Sequence, residues 1–301
     1  MTNRLALLLC LALAGAVGCG GSPSNGDTTV SDESATAVAD VTVETGSIPA
    51  ALAGAHRSES NRARDVYRHP AETLSFFGLE PGMTVVEMGP GGGWYTEVLA
   101  PVMRDHGQLV LAMADPAESQ YSRRLVDRMA TQPSVFEQAQ TVVFDLPEQA
   151  SLGEPGSADM VLTFRSTHGW INGGAAPAVY QSMFDVLRPG GVLGVVQHRA
   201  PEGSDASVTA RQGYVPEAAV IELATNAGFV LEERSDINAN PNDDHDHPEG
   251  VWTLPPSLQL GDTDREAWLA IGESDRMTLR FRKPAAEAAA DSAAVPDDAI
   301  E

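Results

Sequence analysis

The densest chemical signal in the chain is Thr84-Val85-Val86-Glu87-Met88-Gly89-Pro90-Gly91-Gly92-Gly93-Trp94-Tyr95-Thr96-Glu97, where an apolar run passes into glycines and then into a helical pattern. Glycines between a strand and a helix let backbone N–H groups and the helix N-terminus approach a ligand closely, so this loop is read as a binding site. A dinucleotide site of the G-x-G-x-x-G kind wants its third glycine where Trp94 stands, which weakens a nicotinamide reading. A second stretch, Phe164-Arg165-Ser166-Thr167-His168-Gly169-Trp170-Ile171-Asn172, supplies two reactive side chains. His168 suits a general base or an acceptor-orienting donor, or else a loop histidine bonded to backbone, and Arg165 suits the holding of an anionic substrate. Asp65 and Arg68 lie three apart on one helical face, placed to cover a ligand or to form a surface ion pair. His198 and Arg199, which end a later apolar run, read as ligand-facing or as structural. Asp243-Asp244-His245-Asp246-His247 has metal-ligating residue types. Neighbours in an extended loop point to opposite sides, however, so no metal site is expected and the segment reads as a solvated acidic loop. A metal-binding role through His245 and His247 rests on this loop alone.

The rest of the composition removes other chemistries. The only lysine is Lys283, so neither a GxxxxGK[ST] phosphate loop nor a buried Schiff-base lysine is available, and no HExxH or GxSxG occurs. Both cysteines, Cys10 and Cys19, fall within the first twenty residues, which leaves no disulfide or cysteine nucleophile for a folded body. A formal net charge of −23 repels phosphate backbones, so nucleic acid is not expected as a partner.

Met1 to Arg4 is a short positive start, Leu5 to Leu13 is apolar, and Ala14-Gly15-Ala16-Val17-Gly18-Cys19 is a small-residue cleavage region. This pattern predicts a lipoprotein signal over residues 1–18, with Cys19 lipidated. It predicts a protein anchored to the membrane by acyl chains in the cell envelope, facing the periplasm, and Gly20 after the cysteine favours the outer membrane. Ordinary secretion is the alternative. Residues 19–47, rich in Ser, Thr, Gly and acids, read as a disordered tether, and the Ala-rich acidic residues 285–301 as a disordered tail.

Between these lies a body over residues 48–284. Short Val/Leu-rich runs at 84–88, 109–113, 141–144, 160–164, 192–197, 230–233 and 277–281 alternate with helical patterns at 94–104, 116–131, 175–187 and 216–227. An earlier helix is expected over 58–77. Nearly continuous apolar strands alternating with helices predict an α/β fold with a mostly parallel sheet covered on both faces. Residues 237–275 break the rhythm and read as an insertion or lid, anchored by Trp252 and Trp268.

Glu87 followed by Gly89, Gly91 and Gly93 resembles motif I of the class I S-adenosylmethionine-dependent methyltransferases. Leu187-Arg188-Pro189-Gly190-Gly191-Val192-Leu193 resembles the turn into that family's fifth strand, Val143-Phe144-Asp145-Leu146 the end of its third, and Ala158-Asp159-Met160-Val161-Leu162 its fourth. The opening Arg62 to Pro70, the run Leu74 to Leu79 and the ending Asp275 to Phe281 resemble an exported bacterial subgroup of predicted methyltransferases. The resemblance spans roughly residues 57–284. It implies a Rossmann-like, doubly wound sheet of seven strands and S-adenosylmethionine as cofactor, bound by Glu87, Gly89, Gly91, Gly93, Asp115 and Asp145. It also places His168 and Arg165, after the fourth strand, where catalytic residues usually stand. The acid expected at the end of the second strand is replaced by Met113, so either Asp115 swings in, or ribose is held differently, or the pocket has decayed. The expected activity is methyl transfer to a small molecule. The alternative is a non-catalytic envelope lipoprotein that captures a nucleoside-like or other small ligand.

Overall fold

The computed structural model describes residues 45–285; the signal segment, Cys10, Cys19, nearly all of the tether and residues 286–301 lie outside the described residues. Seven strands form one sheet: β1 (Thr84–Met88), β2 (Gln108–Met113), β3 (Ala139–Val143), β4 (Ala158–Phe164), β5 (Leu187–His198), β6 (Val230–Ser235) and β7 (Arg276–Arg282). Their order across the sheet is β3-β2-β1-β4-β5-β7-β6, parallel throughout except that β7 runs antiparallel between β5 and β6. The expected strands all form, because runs such as Val85-Val86 and Val161-Leu162 are buried on both faces and have no solvent side to require alternation.

One face is covered by helices Ile48–Ala53, Pro70–Phe77 and Thr96–Met103, the other by Ala176–Val186 and Glu217–Asn226, which gives two apolar layers around the sheet. Gly194 in mid-β5 leaves room for Phe77: a Cβ there would stand 2.7 Å from the ring. The single helix expected over 58–77 is instead three pieces, Glu59–Arg62, Asp65–Arg68 and Pro70–Phe77. Pro70 has no N–H to continue a helix, and His69 before it turns left-handed at φ 39°. The break redirects Arg64 and Arg68 into the body.

Chain order reverses between β1 and β4, and there the carboxyl ends of the strands open a crevice. The glycine loop follows β1, Met113 ends β2, Arg165 follows β4 and His198 ends β5. Residues 237–275 contain the short helix Arg265–Ile271 and a 3-10 turn, Gly250–Thr253, that carries Trp252 to this edge. Asn238 Nδ2 ties the segment down by donating to Thr73 and Thr278, each at 2.9 Å.

Candidate functional site

Gly89, Gly91 and Gly93 all adopt positive φ (71°, 57° and 78°), where a side chain is strained. A Cβ on Gly89 would come within 2.8 Å of Ser166 Oγ and one on Gly93 within 2.5 Å of Leu125, whereas Gly91 faces open space. The spacing therefore serves two ends: the outer glycines let the loop pack against the β4 loop and the helix Gln120–Thr131, and the middle one presents bare backbone to a cleft. That cleft, about 270 Å³, is walled by Gly89, Gly91, Met113 and Phe144, with Ser119 and Tyr121 from the start of the helix Gln120–Thr131. Glu87 is fully buried beneath it and accepts from Thr96 Oγ1 at 2.6 Å; burial pushes its carboxyl up to about 7. It braces the loop from behind and is not among the groups lining the cleft.

Trp94, which breaks the dinucleotide pattern, is a structural anchor. The Arg68 guanidinium lies 4.6 Å and that of Arg57 5.2 Å from its ring centre, and its indole N–H donates to Asn61 O at 3.1 Å. Asp115 is turned away from the cleft: its carboxylate accepts from Ala117 N at 2.7 Å within its own loop, so the short link after Met113 spends this acid on a turn. Asp145 is exposed just past the Phe144 wall, in a backbone bridge with Gln149.

A second cleft of about 480 Å³ shares Gly91, Tyr121 and Trp170 with the first. Arg64, Arg68, Arg165, His168, His198 and Trp252 converge on it. Burial holds both histidines below their ordinary range, His198 far below, so both are neutral at pH 7. Their rings lie 5.9 Å apart, and Trp252 stands edge-on to His168 at 5.8 Å. The Gln197 side-chain nitrogen donates to Gly213 O at 2.9 Å, which fixes the amide, and the same nitrogen faces His168 Nδ1 at 3.4 Å. With Nδ1 assigned as the acceptor of this contact, Nε2 carries the ring proton, which favours the donor role of His168 over the base role. Arg165 occupies the left-handed region at φ 59°, and burial lowers its guanidinium to about 10.

The remaining predicted residues have other partners. Asp65 binds Arg57 through both oxygens (2.7 and 2.8 Å), Arg68 binds Glu273, and Arg199 grips Asp275. The acidic loop is solvated only in part, since Asp243 and His247 are buried. Asp243, Asp244 and His247 bring ligand atoms within 4.8 Å of one another. Asp243, however, already accepts from the Tyr214 hydroxyl (2.9 Å), from Asp275 N (2.7 Å) and from His245 N (2.9 Å), and lies 2.7 Å from His247 Nε2. It is a hub that pins the insertion to the body. Sequence reasoning missed Arg64, Tyr121, Glu273 and Arg276; for Arg64 and Arg276 the signal was the unusual share of arginine among the cations, and Tyr121 and Glu273 carried none.

No family model and no curated protein matches the chain. Among solved structures, a SAM dependent methyltransferase from Aquifex aeolicus superposes with a TM-score of 0.51 at 12% identity, covering 73% of this chain and 93% of that one. The [4+2]-cyclase SpnF superposes at 0.50 with 17% identity, covering 72% and 80%. The chain thus has the α/β fold of the class I S-adenosylmethionine-dependent methyltransferases, as its motifs implied. The cyclase shows that this fold also carries other chemistry.

Proposed function

We propose that the protein binds S-adenosylmethionine in the glycine-loop cleft and transfers its methyl group to a small molecule held in the adjoining cleft. The observation that carries this reading is the loop itself: three left-handed glycines at the switch point of the sheet, the middle one facing a cleft that continues into a second. The residues fit the cofactor in two of its three parts. Gly89 and Gly91 give backbone approach to an amino-acid tail, and Met113 and Phe144 give apolar walls for a purine, with Asp145 at the rim to accept from an exocyclic amine. On the ribose side the carboxylate is replaced by Ser119 and Tyr121 hydroxyls.

The bound sulfonium supplies an electrophilic methyl group, and alignment accounts for most of what the protein must add. Gly91, Tyr121 and Trp170 form the shared wall that sets one ligand against the other, and Trp252 from the insertion covers the acceptor side. His168 donates its Nε2–H to the acceptor and Arg165 holds it. Cys19 carries the acyl anchor, and the enzyme faces the periplasm from the membrane.

Isothermal titration of the full chain with S-adenosylmethionine and S-adenosylhomocysteine tests the pocket. Saturable binding of both near micromolar, about −8 kcal/mol, is expected. A folded protein that binds neither overturns the reading. For the anchor, Cys19→Ser is expected to move the protein from the membrane to the soluble fraction, and unchanged membrane retention counts against lipidation.

A second reading rests on Met113 and the turned-away Asp115. A lipoprotein that captures a nucleoside-like ligand without turnover needs no ribose carboxylate, nor a cofactor made in the cytoplasm. Binding of S-adenosylhomocysteine with no methyl transfer across an acceptor panel would favour it.

A further inference from the structure

The second cleft carries an excess of positive charge inside an acidic protein. Glu273 is the carboxylate to which three of four neighbouring arginines bond. It takes Arg64 Nε at 2.7 Å, Arg68 Nε at 2.9 Å and Arg276 Nη1 at 3.0 Å, and its charge is also felt by Arg165. Even counting Glu87 beside Arg165, whose carboxyl burial pushes up to about 7, at most two acids face four arginines, whereas the chain as a whole stands at −23. Two of the donor atoms have no partner among the described residues. Arg68 is 3% exposed, and its Nη1 is buried with no partner among the described residues; Arg165 Nη1 is in the same state. Both residues line the cleft. Buried cations are ordinarily paired, because leaving a guanidinium without a counter-charge in a low-dielectric site is costly. Arg165 is also held in a backbone conformation that strains a side-chain-bearing residue, at the first position after β4.

The neighbouring groups are donors as well. His168 presents an N–H, and His198, whose Nδ1 shares a 2.5 Å hydrogen bond with Ser274 Oγ, is neutral. Arginine forks and a neutral histidine donor match the planar or tetrahedral oxygens of an oxyanion, and they have nothing to offer a cation. The flanking indoles of Trp170 and Trp252 give flat apolar walls beyond the charged floor.

We infer that this cleft recognises an oxyanion on the acceptor, a carboxylate or phosphate monoester, seated on Arg165 and Arg68 with its carbon skeleton between Trp170 and Trp252. The inference deepens the methyltransferase reading by naming the acceptor class, and it rests on that reading only for the word acceptor.

The test is isothermal titration of the full chain and of Arg165→Gln with benzoate, inorganic phosphate and S-adenosylhomocysteine separately. Arg165 is the variant of choice because its side chain has no hydrogen-bond partner among the described residues: its removal is expected to raise the melting temperature, by about 2–4 °C. The wild type is expected to bind benzoate or phosphate saturably, the carboxylate or phosphate arm showing which oxyanion fits. Arg165→Gln should weaken that binding at least about tenfold, roughly the worth of one charge-assisted contact, and leave S-adenosylhomocysteine affinity within about twofold. Arg68→Gln, which keeps a donor toward Glu273, should weaken the same anion. No saturable anion binding by folded wild type, or equal binding by Arg165→Gln, overturns the inference. So does a parallel loss of S-adenosylhomocysteine affinity, which would assign the arginines to the cofactor's carboxylate. Anion binding without any binding of S-adenosylhomocysteine would overturn the methyltransferase reading and leave the oxyanion site standing.

Discussion

Glu97 and Glu273 are both buried carboxylates that gather arginines from the segment over residues 57–68, and they differ in how the charge closes. Around Glu97, Arg57 donates at 2.9 Å and Asn61 at 2.9 Å, Arg128 joins from the helix Gln120–Thr131, and Asp65 takes the other side of Arg57. Two cations meet two anions, every carboxylate oxygen has a donor, and the unit staples the N-terminal segment to the body. Around Glu273 the same segment contributes Arg64 and Arg68, the start of β7 contributes Arg276 and the position after β4 contributes Arg165, while Glu87, the acid beside Arg165, is pushed up to about 7 by burial. The first arrangement lines neither of the two clefts described above; arginines of the second line the larger one. A closed buried network is a scaffold, whereas an open one is a place for a ligand to complete.

Four changes set that contrast under strain. Glu97→Gln leaves Arg57 and Arg128 short of a buried counter-charge and is expected to cost about 3–5 kcal/mol in urea unfolding. Glu273→Gln should destabilise by a similar amount, but sulfate should return about 1–2 kcal/mol more to it than to Glu97→Gln, since only the Glu273 site is built to admit an anion. Equal sulfate effects on both would erase the distinction. Glu87, beside Arg165, offers a pH readout. Its folded-state pKa is raised from 4.5 to about 7, so its contribution is complete below about 4.5 and lost as pH rises through about 7. Melting curves of the wild type should therefore fall across that window more than those of Glu87→Gln, by about 1–3 kcal/mol. The smallest effect belongs to Arg165→Gln: a gain of about 1 kcal/mol, because a half-buried cation with an unpartnered Nη1 is removed. A loss instead would mean that Arg165 belongs to the scaffold.

The strands were legible from the sequence because apolar runs bounded by Gly and Pro have few alternatives. The glycine loop was legible for the same reason, since only glycine tolerates φ 71°, 57° and 78° at these turns without strain. The helix over 58–77 was misread as continuous although Pro70 was in plain view, and its break is what brings Arg64 and Arg68 to the cleft. Asp115 was read toward ribose, but a short polar side chain two residues before a free N–H closes on its own backbone. The loop over 243–247 was read as solvated from its acidity, while contacts with Tyr214 and Asp275 bury its first and last members.

By itself, then, the sequence determined the sheet, the crossover glycines and the edge on which the clefts open, because hydrophobic period and backbone permissiveness are local properties of a few consecutive residues. Tertiary structure alone decided which charges meet. Arg68 and its carboxylate are 205 residues apart, and Glu97 and Arg57 are 40 apart. No spacing rule distinguishes the arginine that will be neutralised from the one left waiting, because pairing is settled by where the folded backbone sets each side chain and by how much water the packed body leaves around it.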